Sequence, residues 1–72
     1  MHKITAPLAA NIRKYRQKRK LSQDKLSKLA GVTLHAITKI ESGATLNPRV
    51  ETVKRIADAL QHSIDELLIQ KR

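Results

Sequence analysis

The chain has no cysteine, tryptophan or phenylalanine, and Tyr15 is its single aromatic residue. The missing thiols exclude disulfides, thiolate metal sites and a cysteine nucleophile, and they suit a reducing compartment. With one aromatic ring, the core has to be aliphatic. Proline occurs only at Pro7 and Pro48 and glycine only at Gly31 and Gly43. These four positions are the natural punctuation of the chain. No apolar run approaches the roughly 18 residues of a membrane span. The first residues, Met1 to Pro7, lack the apolar stretch of a signal peptide. A cytoplasmic location is the expectation.

Acidic residues are also missing from the first part of the chain, and positive charge takes their place. The formal net charge is +9. Lys3, Arg13, Lys14, Arg16, Lys18, Arg19 and Lys20 all precede Leu21 without one Asp or Glu among them. From Leu21 onward, eight basic residues face six acidic ones. A field of this sign concentrates polyanions, nucleic acid first among them. The same charge on a solvated face would serve only solubility, and an anionic membrane or an acidic protein would also answer to it. At 72 residues the expectation is a single domain, residues 1–72, near the lower limit for one hydrophobic core.

No stretch alternates at period two with β-branched residues, so strands are not expected. The pattern reads as five short helices and an all-α bundle. The first starts near Pro7, where the missing N–H costs nothing, with Thr5 or Ala6 as cap. Its inner stripe is Leu8, Ile12, Tyr15 and Arg19, and it ends around 18–20. The second runs over 23–30 with Ser22 as N-cap, Leu26, Leu29 and Ala30 inward, and Gly31 as the left-handed residue after its end. The third is capped by Thr33, runs to about Glu41 and closes at Gly43. After a loop at 44–47, the fourth follows Pro48 and places Val50, Val53, Ile56, Ala57 and Leu60 inward, with Asn47 or Arg49 as its cap. The fifth opens on Ser63 and Glu66, a capping-box spacing, and buries Ile64, Leu67 and Leu68.

The segment from Gln23 to Glu41 carries the functional information. Leu26, Ala30, Val32, Ile37 and Ile40 are apolar, Ser27 is small, and Gly31 stands between two helices. Two helices meeting at a sharp angle across a short turn need these properties. A small residue lets the second helix approach, and glycine supplies the positive φ of the turn. This is the helix-turn-helix pattern, over about 22–41. It leaves Leu34, His35, Thr38 and Lys39 turned away from any core. Lys39 can donate to guanine O6 and N7, and His35, one turn earlier, to a guanine or a phosphate. Leu34 can pack on a thymine methyl or the apolar edge of a base, or fold back into the core; Thr38, counted with the base-reading residues, is too short to reach deeply and suits phosphate or sugar.

The motifs "LSQ", "LAGV", "IESG", "NPRVET", "IADAL" and "SIDELL" follow in order. In that order the chain resembles the phage repressor and Cro-type family of DNA-binding domains over nearly its whole length. The resemblance implies a five-helix bundle like that of the lambda and 434 repressors. It also implies bacterial, phage or plasmid origin and a transcriptional regulator, most simply a repressor. Helix 34–41 would be its recognition helix in the major groove of double-stranded DNA. Leu34, His35 and Lys39 match base-reading positions, with Thr38 beside them on the exposed arc. Gln23 matches a residue that bonds a phosphate, and Arg49 an Arg directed at the backbone or minor groove. Thr33 and Asn47 are further phosphate candidates, and Lys18 and Lys20 add long-range attraction. The family pairs an Arg of helix one with the acid of helix three, here Arg16 and Glu41, as a structural ion pair. Two departures stand out: Lys25 replaces the usual Glu, removing half of a capping box, and Gln61 replaces the usual Gly after helix four.

Other function classes have less behind them. His2, His35 and His62 are scattered, no triad or glycine-rich phosphate loop is present, and no metal-ligand spacing occurs. Neither an enzyme nor a bound cofactor or metal is expected. Lack of exposed aromatics argues against an RNA-stacking surface, and the leucines are needed for the core rather than for lipid. The stronger rival is an antitoxin-like or other protein-interaction module on the same fold. Leu46 and Ile69 bear on it: they can be contacts of a homodimer on a palindromic operator, a partner surface, or stray exposed apolar residues. No ligand-binding or oligomerisation domain is expected after the bundle.

Overall fold

The computed structural model describes residues 5–45 and 48–69. Five α-helices make up its secondary structure: α1 Thr5–Lys18, α2 Gln23–Ala30, α3 Leu34–Ser42, α4 Val50–Leu60 and α5 Ile64–Leu68. No strand occurs among the described residues. Helix α1 packs against α3, α4 and α5, while α2 packs against α3 and α4. The core between them is aliphatic apart from Tyr15. Leu8, Ile12, Leu26, Ile37, Ile56, Leu60 and Leu67 are its largest fully buried side chains. Each such burial contributes about 1.5–3 kcal/mol relative to exposure.

The caps follow from local chemistry. Ser22, Thr33 and Ser63 stand before α2, α3 and α5, and each hydroxyl accepts the N–H three residues on. That satisfies one of the four orphan donors of a helix start. Ser63 and Glu66 form the complete capping box. Arg49 occupies the cap position of α4 without a side-chain capping bond, while the other candidate, Asn47, lies outside the described residues. Helices α1 to α4 all end the same way, with paired bonds from the left-handed residue and its successor back to the last turn. Leu21 N–H reaches Arg16 O, Val32 reaches Ser27 O, Ala44 reaches Lys39 O and His62 reaches Ala57 O. Two of these turns use glycine, Gly31 at φ 70 and Gly43 at φ 79. The other two hold Lys20 at φ 57 and Gln61 at φ 62, where a Cβ costs roughly 1–2 kcal/mol.

Several sequence expectations need correction. Helix α1 begins at Thr5, so Thr5 and Ala6 lie within it and not before it. Pro7 still falls among the first residues, whose N–H groups have no partner in the helix. Arg19 is not part of the inner stripe: α1 stops at Lys18 and the Arg19 guanidinium lies at the surface, donating to Gln61 Oε1 at 3.0 Å. Leu29 is 62% exposed, because α2 docks through Leu26, Ser27 and Ala30 and Leu29 lies roughly 100° around the helix from them. Val50 is 74% exposed, a turn short of Val53, where the buried part of α4 begins. Leu68 is exposed as well, since α5 enters the core through Leu67, with Ile64 partly buried against it.

Candidate nucleic-acid interface

Helix α3 is seated by three residues and turned outward by the rest. Ile37 is fully buried, and Ile40 and Glu41 are buried beside it. Gly31 and Gly43 let the chain bend before and after the helix, so nine residues stand clear as a rod of about 13 Å. Ser27, buried at the contact, donates its hydroxyl to Asp24 O at 2.6 Å, which removes its polarity from the helix-helix contact. Val32 packs against the core at the corner. On the opposite side Leu34, His35, Thr38 and Lys39 are all exposed. At 100° per residue these four divide into two edges, Leu34 with Thr38 and His35 with Lys39.

A buried carboxylate ties this helix to two others. The Glu41 side chain is only 3% exposed, and an isolated charge there would be costly. It is not isolated. Arg16 Nε donates to Oε2 at 2.7 Å and its Nη2 to Oε1 at 3.0 Å, a two-pronged pair. Arg16 also donates through Nη1 to Leu21 O at 2.8 Å, which holds the turn between α1 and α2. Gln23 adds Nε2 to Glu41 Oε1 at 3.1 Å. Among the described residues no buried side-chain polar atom lacks a partner.

The remaining candidates sit on two flanks of α3. Gln23, half-buried at the start of α2, touches the Glu41 side, and its carbonyl oxygen lies 3.4 Å from Thr38 Oγ1. Its amide is therefore held by the protein before any ligand arrives. Lys18 and Lys20 are exposed at the end of α1 and in the turn beyond it. On the other flank, Arg49 is exposed and lines a shallow cavity of about 110 Å³ with Ala36, Ile40, Thr45, Pro48 and Thr52. Thr33 is exposed, with its hydroxyl oxygen engaged by Ala36 N–H at 3.1 Å. Ile69 is 53% exposed after α5. Asn47 and Leu46 lie outside the described residues.

Sequence reasoning missed three structural contributors. Arg13 donates from Nη2 to Glu41 O at 2.7 Å, with its Nε 4.0 Å from the Glu41 carboxylate. It thus covers an end carbonyl of α3, and nothing in the spacing singles it out. Asn11 is buried and donates to Leu67 O at 2.7 Å and Ile69 O at 2.8 Å, tethering the short α5 to α1. A signal for it was present: Asn11 falls on the buried stripe with Leu8, Ile12 and Tyr15, where a polar residue needs partners. Finally, the His62 ring stacks on Tyr15 with centroids 3.8 Å apart, and its Nδ1 lies 3.1 Å from Glu66 Oε2. The Ser63 N–H, and then His62, hold the Glu66 carboxyl below its ordinary range.

A helix-turn-helix family model matches residues 12–67. The chain is 30% identical over 63 residues to the HTH-type transcriptional regulator RghRB of Bacillus subtilis (strain 168), covering 88% of this chain and 45% of that protein. It thus spans less than half the length of that relative. The N-terminal DNA-binding domain of SinR from Bacillus subtilis has a similar structure, with a TM-score of 0.85 at 26% identity over 90% of this chain and 94% of that one. The DNA-binding domain of the P22 C2 repressor is similar at TM-score 0.77 and 35% identity, over 90% of both chains. With its bent helix pair, glycine turn and buried Arg16–Glu41 clamp inside the matched region, the chain belongs to the helix-turn-helix family.

Proposed function

We propose that the chain is a double-stranded DNA-binding transcription regulator whose helix α3 enters the major groove. The observation that carries this reading is the division of α3 into a clamped inner side and an outward arc of Leu34, His35, Thr38 and Lys39. A helix about 10–12 Å across with its side chains suits a groove about 12 Å wide. The net charge of +9 supplies sequence-independent attraction, and Lys39 and His35 are the polar base readers. Gln23 on one flank and Arg49 on the other set the register against phosphates, with Thr33, Asn47, Lys18 and Lys20 as further backbone contacts. The likeness to two DNA-binding domains, one from a repressor, supports the same reading. Repression from a palindromic operator is its finer form. A homodimer, with Leu46 and Ile69 as candidate contacts, would read two half-sites about one helical turn apart in the cytoplasm.

Selection from a random duplex pool, followed by binding to the enriched sequence across a salt series, tests it. The expected result is one enriched half-site repeated with two-fold symmetry, and an affinity that falls steeply with salt. A pool that stays random, with binding equal for every duplex, would leave a general polyanion binder. An interaction module with incidental DNA contact would give the same null result while a protein partner buries Ile69, the exposed apolar residue that favours it.

A further inference from the structure

The two edges of the outward arc differ in what they offer, and the edge beside Gln23 is apolar. Leu34 is 44% exposed and does not fold back into the core. One turn later on the same edge, Thr38 is exposed, but its hydroxyl hydrogen is already committed to the protein. Thr38 Oγ1 donates to Leu34 O at 3.0 Å, and the Gln23 carbonyl oxygen makes a weaker claim on the same hydrogen at 3.4 Å. A threonine hydroxyl has one hydrogen. With it turned back along the helix, as β-branched residues permit, the residue presents its γ-methyl outward. Gln23 is itself fixed by the buried Glu41 carboxylate, so the arrangement is set before binding.

We infer that Leu34 and the Thr38 γ-methyl together form an apolar contact for the C5-methyl group of one thymine in each half-site. This assigns Thr38 a base-reading role through carbon, in place of the phosphate or sugar contact expected from its length. It rests on the reading of α3 as the groove-entering helix. Beside it the cationic edge of His35 and Lys39 faces the neighbouring base pairs, so the half-site is read by methyl on one side and by hydrogen-bond acceptor on the other.

The test uses the duplex enriched by selection with the full chain. Each thymine of the half-site is replaced singly by deoxyuridine, which removes only the methyl. One replacement should weaken binding about three- to fivefold, the worth of one buried methyl. Thr38→Val, which keeps a methyl and drops the hydroxyl, should retain that thymine-over-uracil preference. Thr38→Ser, which keeps the hydroxyl and drops the methyl, and Leu34→Ala should each bring it close to unity. Melting curves of these exposed-site variants show whether the fold is intact. If no thymine discriminates, or if Thr38→Ser keeps the preference while Thr38→Val loses it, the methyl contact is overturned with the groove reading still standing. A pool without any enriched sequence removes both.

Discussion

The two sides of α3 are made from the same nine-residue segment and obey different rules. The inner side buries two isoleucines and one carboxylate, and every polar atom there has a protein partner. The outer side presents Leu34, His35, Thr38 and Lys39 to solvent, with Thr38 tied back by a side-chain hydrogen bond. Glu41 shows how far the difference goes. Its charge is compensated from α1 and α2 together, which makes it a joint between three helices. Lys39, two residues earlier, carries a charge of the opposite sign with no such seat. Burial turns a residue into a constraint on the fold, and exposure leaves it available for recognition.

If the two sides are separable, changes on one should move stability alone and changes on the other base preference alone. The largest effect is expected from Ile37→Ala, which empties a fully buried site and should destabilise the fold by about 2–5 kcal/mol. Its enriched DNA sequence should be unchanged wherever the variant is still folded; an altered consensus would break the separation. Arg16→Ala leaves Glu41 buried with only Gln23 and Arg13 for company. A loss of about 3 kcal/mol is expected, and thermal melts should show Arg16→Ala with Glu41→Ala to be less harmful than the sum of the two. On the outer side, Lys39→Ala should relax preference at one base pair by about 1–3 kcal/mol with an unchanged Tm, whereas Arg49→Ala should weaken all duplexes alike. Should both variants weaken all sequences equally, the outer side carries no reader at Lys39.

Smaller effects sharpen the contrast from outside α3. Gln61→Gly relieves a left-handed Cβ at the loss of the Arg19 hydrogen bond. A net gain of about 0.5–1 kcal/mol is expected, with identical DNA selection, which would show that stability as such does not tune base preference. The capping box responds to acid. Because Ser63 and His62 lower the Glu66 carboxyl from 4.5, its contribution is fully present above that pH and fades as pH falls through the depressed value. Amide protection at Leu67 and Ile69, measured against the intrinsic exchange rate at each pH, should therefore fall in acid before protection at Ile37 does; equal onset at both places would show α5 to be no weaker than α3.

How much of this was legible in the sequence varied with the range of the interaction. Helix ends were readable because caps and left-handed turns are local: Ser22, Thr33, Ser63, Gly31 and Gly43 act within four residues of themselves. Gln61 stands out only against the resemblance, as a replacement for the glycine usual after helix four. The Arg16–Glu41 pair was reached only through family resemblance, because no local rule links residues so far apart. Leu29, Val50 and Leu68 were misassigned by helical periodicity, which fixes an angle around each helix but not which neighbours cover it. Thr38 was judged by its length, whereas its neighbours decide which of its two γ-substituents faces out.

The sequence by itself determined an aliphatic helical bundle, the places where its helices start and stop, and a strongly basic surface. These follow from interactions between residues a few positions apart and from a sum over charges. Tertiary structure alone decided that Asn11 would fasten α5 and that Arg13 and Gln23 would join Arg16 around Glu41. Those outcomes depend on groups brought within about 3 Å by packing of several helices at once, a distance that spacing along one chain does not encode.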